Sequence, residues 1–146
     1  MKDQRHENIK LVKSFYAAVS RGELAAARNQ LDTDVEWIEP GLAGLWFSGT
    51  HRGAEAVLRE VIVPASEKIE TFRVKIRKFF GVGDHVVAVG GFRGVVKATG
   101  KDLDAATAHV WTLRNGKAVR FEGFHDVSEW REALGLAQVE PQRMAA

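Results

Sequence analysis

Apolar residues recur every three or four positions over residues 4–20, at Ile9, Val12, Phe15, Tyr16 and Val19. That period predicts an amphipathic helix with one buried face, ended by Gly22. A second short helix is predicted over 23–31, with Leu24, Ala27 and Leu31 on one side. "DTDVEWIEP" then reads as extended chain stopped by Pro40. Residues 41–50, "GLAGLWFSGT", read as a glycine-rich loop that exposes Trp46 and Phe47. A third helix is expected over 53–63, burying Val57, Leu58, Val61 and Ile62, with Pro64 as its limit.

Beyond residue 70 the period falls to two. Strands are predicted at about 71–80, 84–97, 104–114 and 117–126, with turns at 81–83 and in "KATGKD". "DVSEW" opens a last short helix, where Asp126 at the N-cap and Glu129 three residues later have capping-box spacing. The tail from about 137 to 146 is expected to fray. The 146 residues make one domain, 1–146, without internal repeats. Helices followed by mostly antiparallel strands give an α+β fold, with helices on one face of a curved sheet. A strongly bent sheet closed by helices encloses a hollow.

The hairpin "HVWTLRNGKAVRF", residues 109–121, decides which side chains face that hollow. A two-residue Asn-Gly turn puts His109 opposite Glu122, and a three-residue turn with Gly116 in a bulge puts it opposite Phe121. The second register gathers His109, Trp111, Leu113, Val119, Phe121 and His125 on one face. It leaves Thr112, Arg120, Glu122, Phe124 and Asp126 on the other, and is the expected one. On this pattern His109 is either a cavity-wall histidine or a hydrogen-bonded core residue. Asp126 reads as a helix cap, His125 lies near a sheet end and His51 falls in a loop.

Charge and composition narrow the partners. The net charge is +2, and the densest basic stretch is "FRVKIRKF" at 72–79. There Arg73, Lys75 and Arg77 alternate with Phe72, Val74 and Ile76, which suits the solvated face of an edge strand. No stacking aromatics share that face, so a nucleic-acid partner is not expected. No apolar run approaches the roughly 18 residues of a membrane span. "MKDQRHENIK" lacks the apolar stretch of a signal peptide, and a cytoplasmic location is the expectation. The chain has no cysteine, and its 5 histidines show neither H-x-H nor HExxH spacing, so no metal site is expected.

"FYAAVSRGELAAARNQLDTDVEWIEPG", "GTHRGAEAV" and "AHVWTLRNGKAVRFEGF" together resemble the SnoaL-like, ketosteroid-isomerase-like branch of the NTF2-like superfamily, over about residues 5–135. The resemblance implies a cone-shaped α+β fold with a deep apolar pocket, and a homodimer formed across the outer sheet. The superfamily holds isomerases, polyketide cyclases, dehydratases, epoxide hydrolases and non-enzymatic binding proteins, so it specifies fold more than reaction. Glu39 falls where ketosteroid isomerases keep their general-base aspartate, with Trp37 on the same face. His109 falls near the protonated acid that stabilises the developing enolate in those enzymes. Phe15 stands where their oxyanion tyrosine would be, with Tyr16 about 100° round the helix. That departure disfavours steroid isomerisation. The arginine and two aspartates of the epoxide hydrolases fall at about Gly90, Phe92 and Gly123, which disfavours that mechanism too.

The remaining groups suit a cofactor-independent isomerase, cyclase or dehydratase-type lyase acting on a small apolar carbonyl or polycyclic compound. Glu39 would be the base and His109 the acid, with Tyr16 and His125 as helpers. Trp37, Trp46, Trp111 and Phe121 would supply apolar walls. The alternative is a non-catalytic domain that binds a small apolar ligand.

Overall fold

Helix α1 (Gln4–Ser20) begins where the Asp3 carboxylate accepts the Arg5 N–H, and it buries Val12, Phe15 and Tyr16. The computed structural model describes residues 3–40 and 44–137. The expected frayed tail beyond 137 and the start of the 41–50 loop lie outside the described residues. After α1 come α2 (Leu24–Asn29), β1 (Leu31–Glu39) and the short β2 (Gly49–Arg52). Then follow α3 (Ala54–Val57), a π-helical segment (Leu58–Ile62) and α4 (Val63–Lys68). Strands β3 (Ile69–Val82), β4 (His85–Val96), β5 (Asp102–Arg114) and β6 (Lys117–His125) precede α5 (Val127–Leu134). The expected α+β class is the one observed. The sheet runs β2-β1-β6-β5-β4-β3, antiparallel except where β1 lies parallel to β6.

The sheet bends where β3 crosses β4. Two irregularities in register occur there, between Glu70 and Arg73 and between Ile76 and Lys78. At each, a glycine of β4 (Gly94 and Gly90) comes so close to β3 that a Cβ would meet its backbone. The extra residues on β3 coil the strand and the missing side chains on β4 let it approach. One buried cluster, including Val12, Phe15, Trp37, Trp111 and Phe121, fills the space between α1 and the inner face. A second, including Phe47, Ile69, Phe92, Leu103 and Trp130, closes the other end under α5. Arg73, Lys75 and Arg77 are exposed on the edge strand β3, the basic face that the alternation predicts.

Four expectations are corrected. Pro64 does not end the third helix, which continues to Lys68. The π-helical segment widens the preceding turn, Val63 N–H bonding back to Leu58 C=O. Pro64 then falls in the first turn of α4, where no N–H is required. Trp46 is half-buried and Phe47 buried, because both ring systems pack on Trp130. His51 is not in an open loop but buried on β2, between Glu60 Oε2 (2.8 Å) and Phe47 C=O (2.9 Å).

The hairpin takes neither register foreseen. Asn115 and Gly116 both have positive φ, 52° and 73°, forming a two-residue turn that pairs Arg114 with Lys117. The register then shifts by one between Thr112 and Leu113, so Trp111 faces Phe121 and His109 faces Gly123. Ala118 takes the buried inner position expected of Val119, which is half-buried. His109, Trp111, Leu113 and Phe121 are buried, and Phe124 is exposed on the outer face. Asp126 caps α5, accepting the Glu129 N–H at 3.2 Å.

Candidate functional site

Strand alternation carries Val35, Trp37 and Glu39 to the inner face of β1, and Thr107, His109 and Trp111 to the inner face of β5. Helix α1 brings Phe15 and Tyr16 across the top, and the end of β6 supplies His125. These elements enclose a cavity of about 70 Å³. Its polar wall groups are Tyr16, Glu39, His109 and His125; the rest of the wall is aromatic or aliphatic.

Two hydrogen-bonded chains reach the cavity. In the first, Trp111 Nε1–H donates to the Tyr16 hydroxyl oxygen (2.8 Å), which lies 2.6 Å from His109 Nδ1. The buried phenol proton needs an acceptor of its own, and His109 Nδ1 is the one within reach; we therefore assign Tyr16 O–H as the donor to an unprotonated Nδ1. Burial raises the Tyr16 phenol, against the pull of the Trp111 N–H, so it stays protonated. Burial also holds His109 well below the ordinary histidine range, and the neighbouring His125 adds to that effect. His109 is therefore neutral, with its proton on Nε2. Nε2 is buried and has no partner among the described residues. An orphaned donor of this kind costs about 1–3 kcal/mol until an acceptor arrives.

The second chain holds the carboxylate. Trp37 Nε1–H donates to Glu39 Oε1 (2.9 Å), and His125 Nε2 contacts Glu39 Oε2. Thr107 donates its O–H to Phe124 C=O (3.3 Å) and accepts His125 Nδ1–H (2.7 Å). With Nδ1 protonated, the contact with Glu39 requires one further proton shared between imidazole and carboxyl. Both side chains are almost wholly buried, at 1% and 4% exposure, so neither charge is stable there without the other. Gly123 makes the room: a Cβ at this position would overlap Glu39 Oε2 and lie 2.7 Å from His125 Nε2. We expect Gly123→Ala to part the pair and cost about 1–3 kcal/mol. Urea denaturation reads it, and an unshifted midpoint would contradict this packing.

The segment from Leu45 to Phe47 covers the cavity from the α4 side. Trp46 Nε1–H bonds Val61 C=O of the π-helical segment (3.1 Å), and the Phe47 ring stands edge-on to His125 and Trp130. Among the described residues no group of three or more histidine, aspartate and glutamate side chains is arranged to hold a metal ion. No helix among them is long and apolar enough to cross a membrane.

The SnoaL-like domain family model matches residues 12–121, which carry the second half of α1, strands β1 to β5 and the first half of β6. The chain belongs to the SnoaL-like family. An NTF2-like protein of Burkholderia thailandensis is 32% identical, covers 87% of this chain and 96% of its own, and superposes with a TM-score of 0.79. A second, from Burkholderia xenovorans, is 31% identical over 88% of this chain and 95% of its own, with a TM-score of 0.75. TerC, crystallised with polyporic acid, is 27% identical over 88% of this chain and 98% of its own, with a TM-score of 0.78. No curated protein sequence matches the chain.

Within this SnoaL-like fold, Tyr16, Trp37, Glu39, Trp46, His109, Phe121 and His125 all line the cavity. Trp111 does not: it is fully buried behind the wall and acts on the cavity by holding Tyr16. Glu39 and His109 share the hollow, but the imidazole bonded to Glu39 is that of His125. The two histidine rings stand edge to face, 5.7 Å between centroids. Sequence reasoning missed Phe47, Phe72, Phe92 and Trp130 as wall residues. Trp130 had a usable signal, since the Asp126 cap puts it and Ala133 on one face of α5.

Because His109 is buried and neutral, it makes stability depend on pH. The unfolded chain binds a proton at His109 near pH 6.5, whereas the folded protein does so only at much lower pH. Stability is full above about pH 6.5 and falls as the pH drops below it. Urea unfolding at about pH 7.5 and pH 5 should show this loss, with His109→Gln flattening it. Equal losses in both proteins would exclude His109 as the source.

Proposed function

We propose that this SnoaL-like protein is a cofactor-independent acid–base enzyme of the isomerase, cyclase or dehydratase type, acting on a small apolar carbonyl compound. The observation that carries the proposal is the neutral His109 with its unpartnered Nε2–H, in the same hollow as Glu39. With the shared proton on His125, Glu39 is a carboxylate. It takes a proton from the carbon next to the carbonyl. The electron pair moves to the carbonyl oxygen, and the His109 Nε2–H stabilises the enolate that forms. Return of the proton at another atom gives isomerisation, loss of a β-hydroxyl gives dehydration, and attack on a second carbonyl gives ring closure. A donor aimed at the developing oxyanion contributes about 10²–10³-fold in rate.

A cavity of about 70 Å³ favours a small, compact substrate over a polycyclic one. The relative TerC, crystallised with polyporic acid, supports an organic ligand in this fold. Phe80, Val82 and Phe124 are exposed on the outer sheet. They support pairing of two copies through that surface, as the family resemblance implies.

Deuterium incorporation next to the carbonyl of 1-tetralone or cyclohexanone, followed by NMR in D₂O, tests the half-reaction without knowing the natural substrate. The protein should accelerate exchange, and His109→Ala should lose about 10²–10³-fold of that acceleration. A second reading, binding without catalysis, is favoured by Glu39 having both oxygens already hydrogen-bonded. Ketone binding without any exchange would decide for it.

A further inference from the structure

All four tryptophans lie among the described residues, and three have satisfied indoles. Trp37 donates to Glu39, Trp46 to Val61 C=O and Trp111 to the Tyr16 oxygen. Trp130 is 1% exposed, lines the same cavity, and its Nε1–H has no acceptor among the described residues. An indole can only donate. Buried indole N–H groups normally find a partner, so this one marks a contact made by something that enters the hollow.

The surroundings of Trp130 are apolar. Phe92 lies between it and the histidine pair, with ring centroids 5.3 Å from Trp130, 5.3 Å from His125 and 5.7 Å from His109. Trp46 and Phe47 pack against its other faces, at 5.5 and 4.9 Å. Two residues that line the cavity thus carry orphaned neutral donors, His109 with Nε2–H and Trp130, on α5, with Nε1–H. Among the described residues no unpaired cation lines the wall, so an anionic group would be desolvated against them without compensation. A neutral carbonyl oxygen would not.

We infer that Trp130 is a specificity residue, and that the ligand is a compact neutral dicarbonyl. One of its oxygens meets His109, where the proton chemistry occurs, and the other meets Trp130. The inference rests on the acid–base reading above for the first oxygen only. The Trp130 contact adds binding and orientation and takes no part in proton transfer.

The test compares rigid diones with their mono-ketones: cyclohexane-1,4-dione with cyclohexanone, and 1,4-naphthoquinone with 1-tetralone. Calorimetry measures affinity, and the ¹H–¹⁵N spectrum of the four indole N–H groups reports which one gains an acceptor. Trp130→Phe assigns its resonance by deletion and keeps most of the packing. At least one dione should bind roughly tenfold more tightly than its mono-ketone, the worth of one added hydrogen bond. It should shift the Trp130 indole resonance downfield and leave Trp111 in place. Trp130→Phe should erase the dione's advantage, so that dione and mono-ketone bind the variant with equal affinity. If the mono-ketones bind and exchange but no dione gains affinity or moves that resonance, the Trp130 assignment is wrong and the acid–base reading stands. If neither class binds, both are wrong.

Discussion

Glu39→Gln should abolish proton exchange while leaving the fold intact, and it is the substitution with the largest expected effect on chemistry. The amide has nearly the shape of the carboxylate. Its oxygen can still accept Trp37 Nε1–H, and its NH₂ can donate to His125 Nε2, because Nδ1 keeps its proton for Thr107. Buried hydrogen bonds are therefore conserved in number, and stability should change by about 1 kcal/mol or less. What disappears is the group able to take a proton. General-base catalysis contributes on the order of 10²–10⁴-fold, and the exchange rate should fall by that factor. A thermal melt run beside the NMR exchange assay separates the two effects. Wild-type exchange in a folded Glu39→Gln protein would remove Glu39 from the mechanism.

The largest structural effect should come from Gly90→Ala. Gly90 faces Ile76 across the β3–β4 ladder at one of the two register shifts that bend the sheet. A Cβ there would overlap the Lys75 carbonyl and lie 2.7 Å from Ile76 Cα and 2.8 Å from Lys75 C. These are backbone atoms, so no rotamer change relieves the clash. The strands must separate, carrying Phe72 and Val74 away from the cavity wall. We expect a loss of about 3 kcal/mol or more, and a Tm lower by on the order of 10 °C. Gly100→Ala is the control: its φ of +72° carries strain, but nothing lies within 4 Å of the new Cβ. It should cost only about 1 kcal/mol. Equal melting of the two variants would show that the close crossing is not what Gly90 protects.

The order of helices and strands was legible in the chain because burial on one face imposes a period, and the period survives in the residues. The α1 stripe put Tyr16 on the buried side of its helix and the hairpin alternation put His109 on the inner face, while Glu39, and Trp37 on the same face, came from the family resemblance. Boundaries and register were less legible. Pro64 reads as a terminus until a π-helical turn makes room for it. Likewise, the Asn-Gly turn of the hairpin predicts one register, and a bulge a few residues later replaces it. The glycines at 90, 94 and 123 were visible inside strands, yet what approaches each of them comes from a different part of the chain.

Pairing at the site was decided in three dimensions. Nothing local joins Glu39 to His125 or Tyr16 to His109; residues from α1, β1, β5 and β6 meet only after the sheet has curled. Sequence alone determined which groups could point inward, since side-chain direction follows from the local backbone repeat. Which of them share a proton, which nitrogen of His109 carries its hydrogen, and that Trp130 ends without an acceptor depend on contacts between distant segments. Only the folded packing sets those.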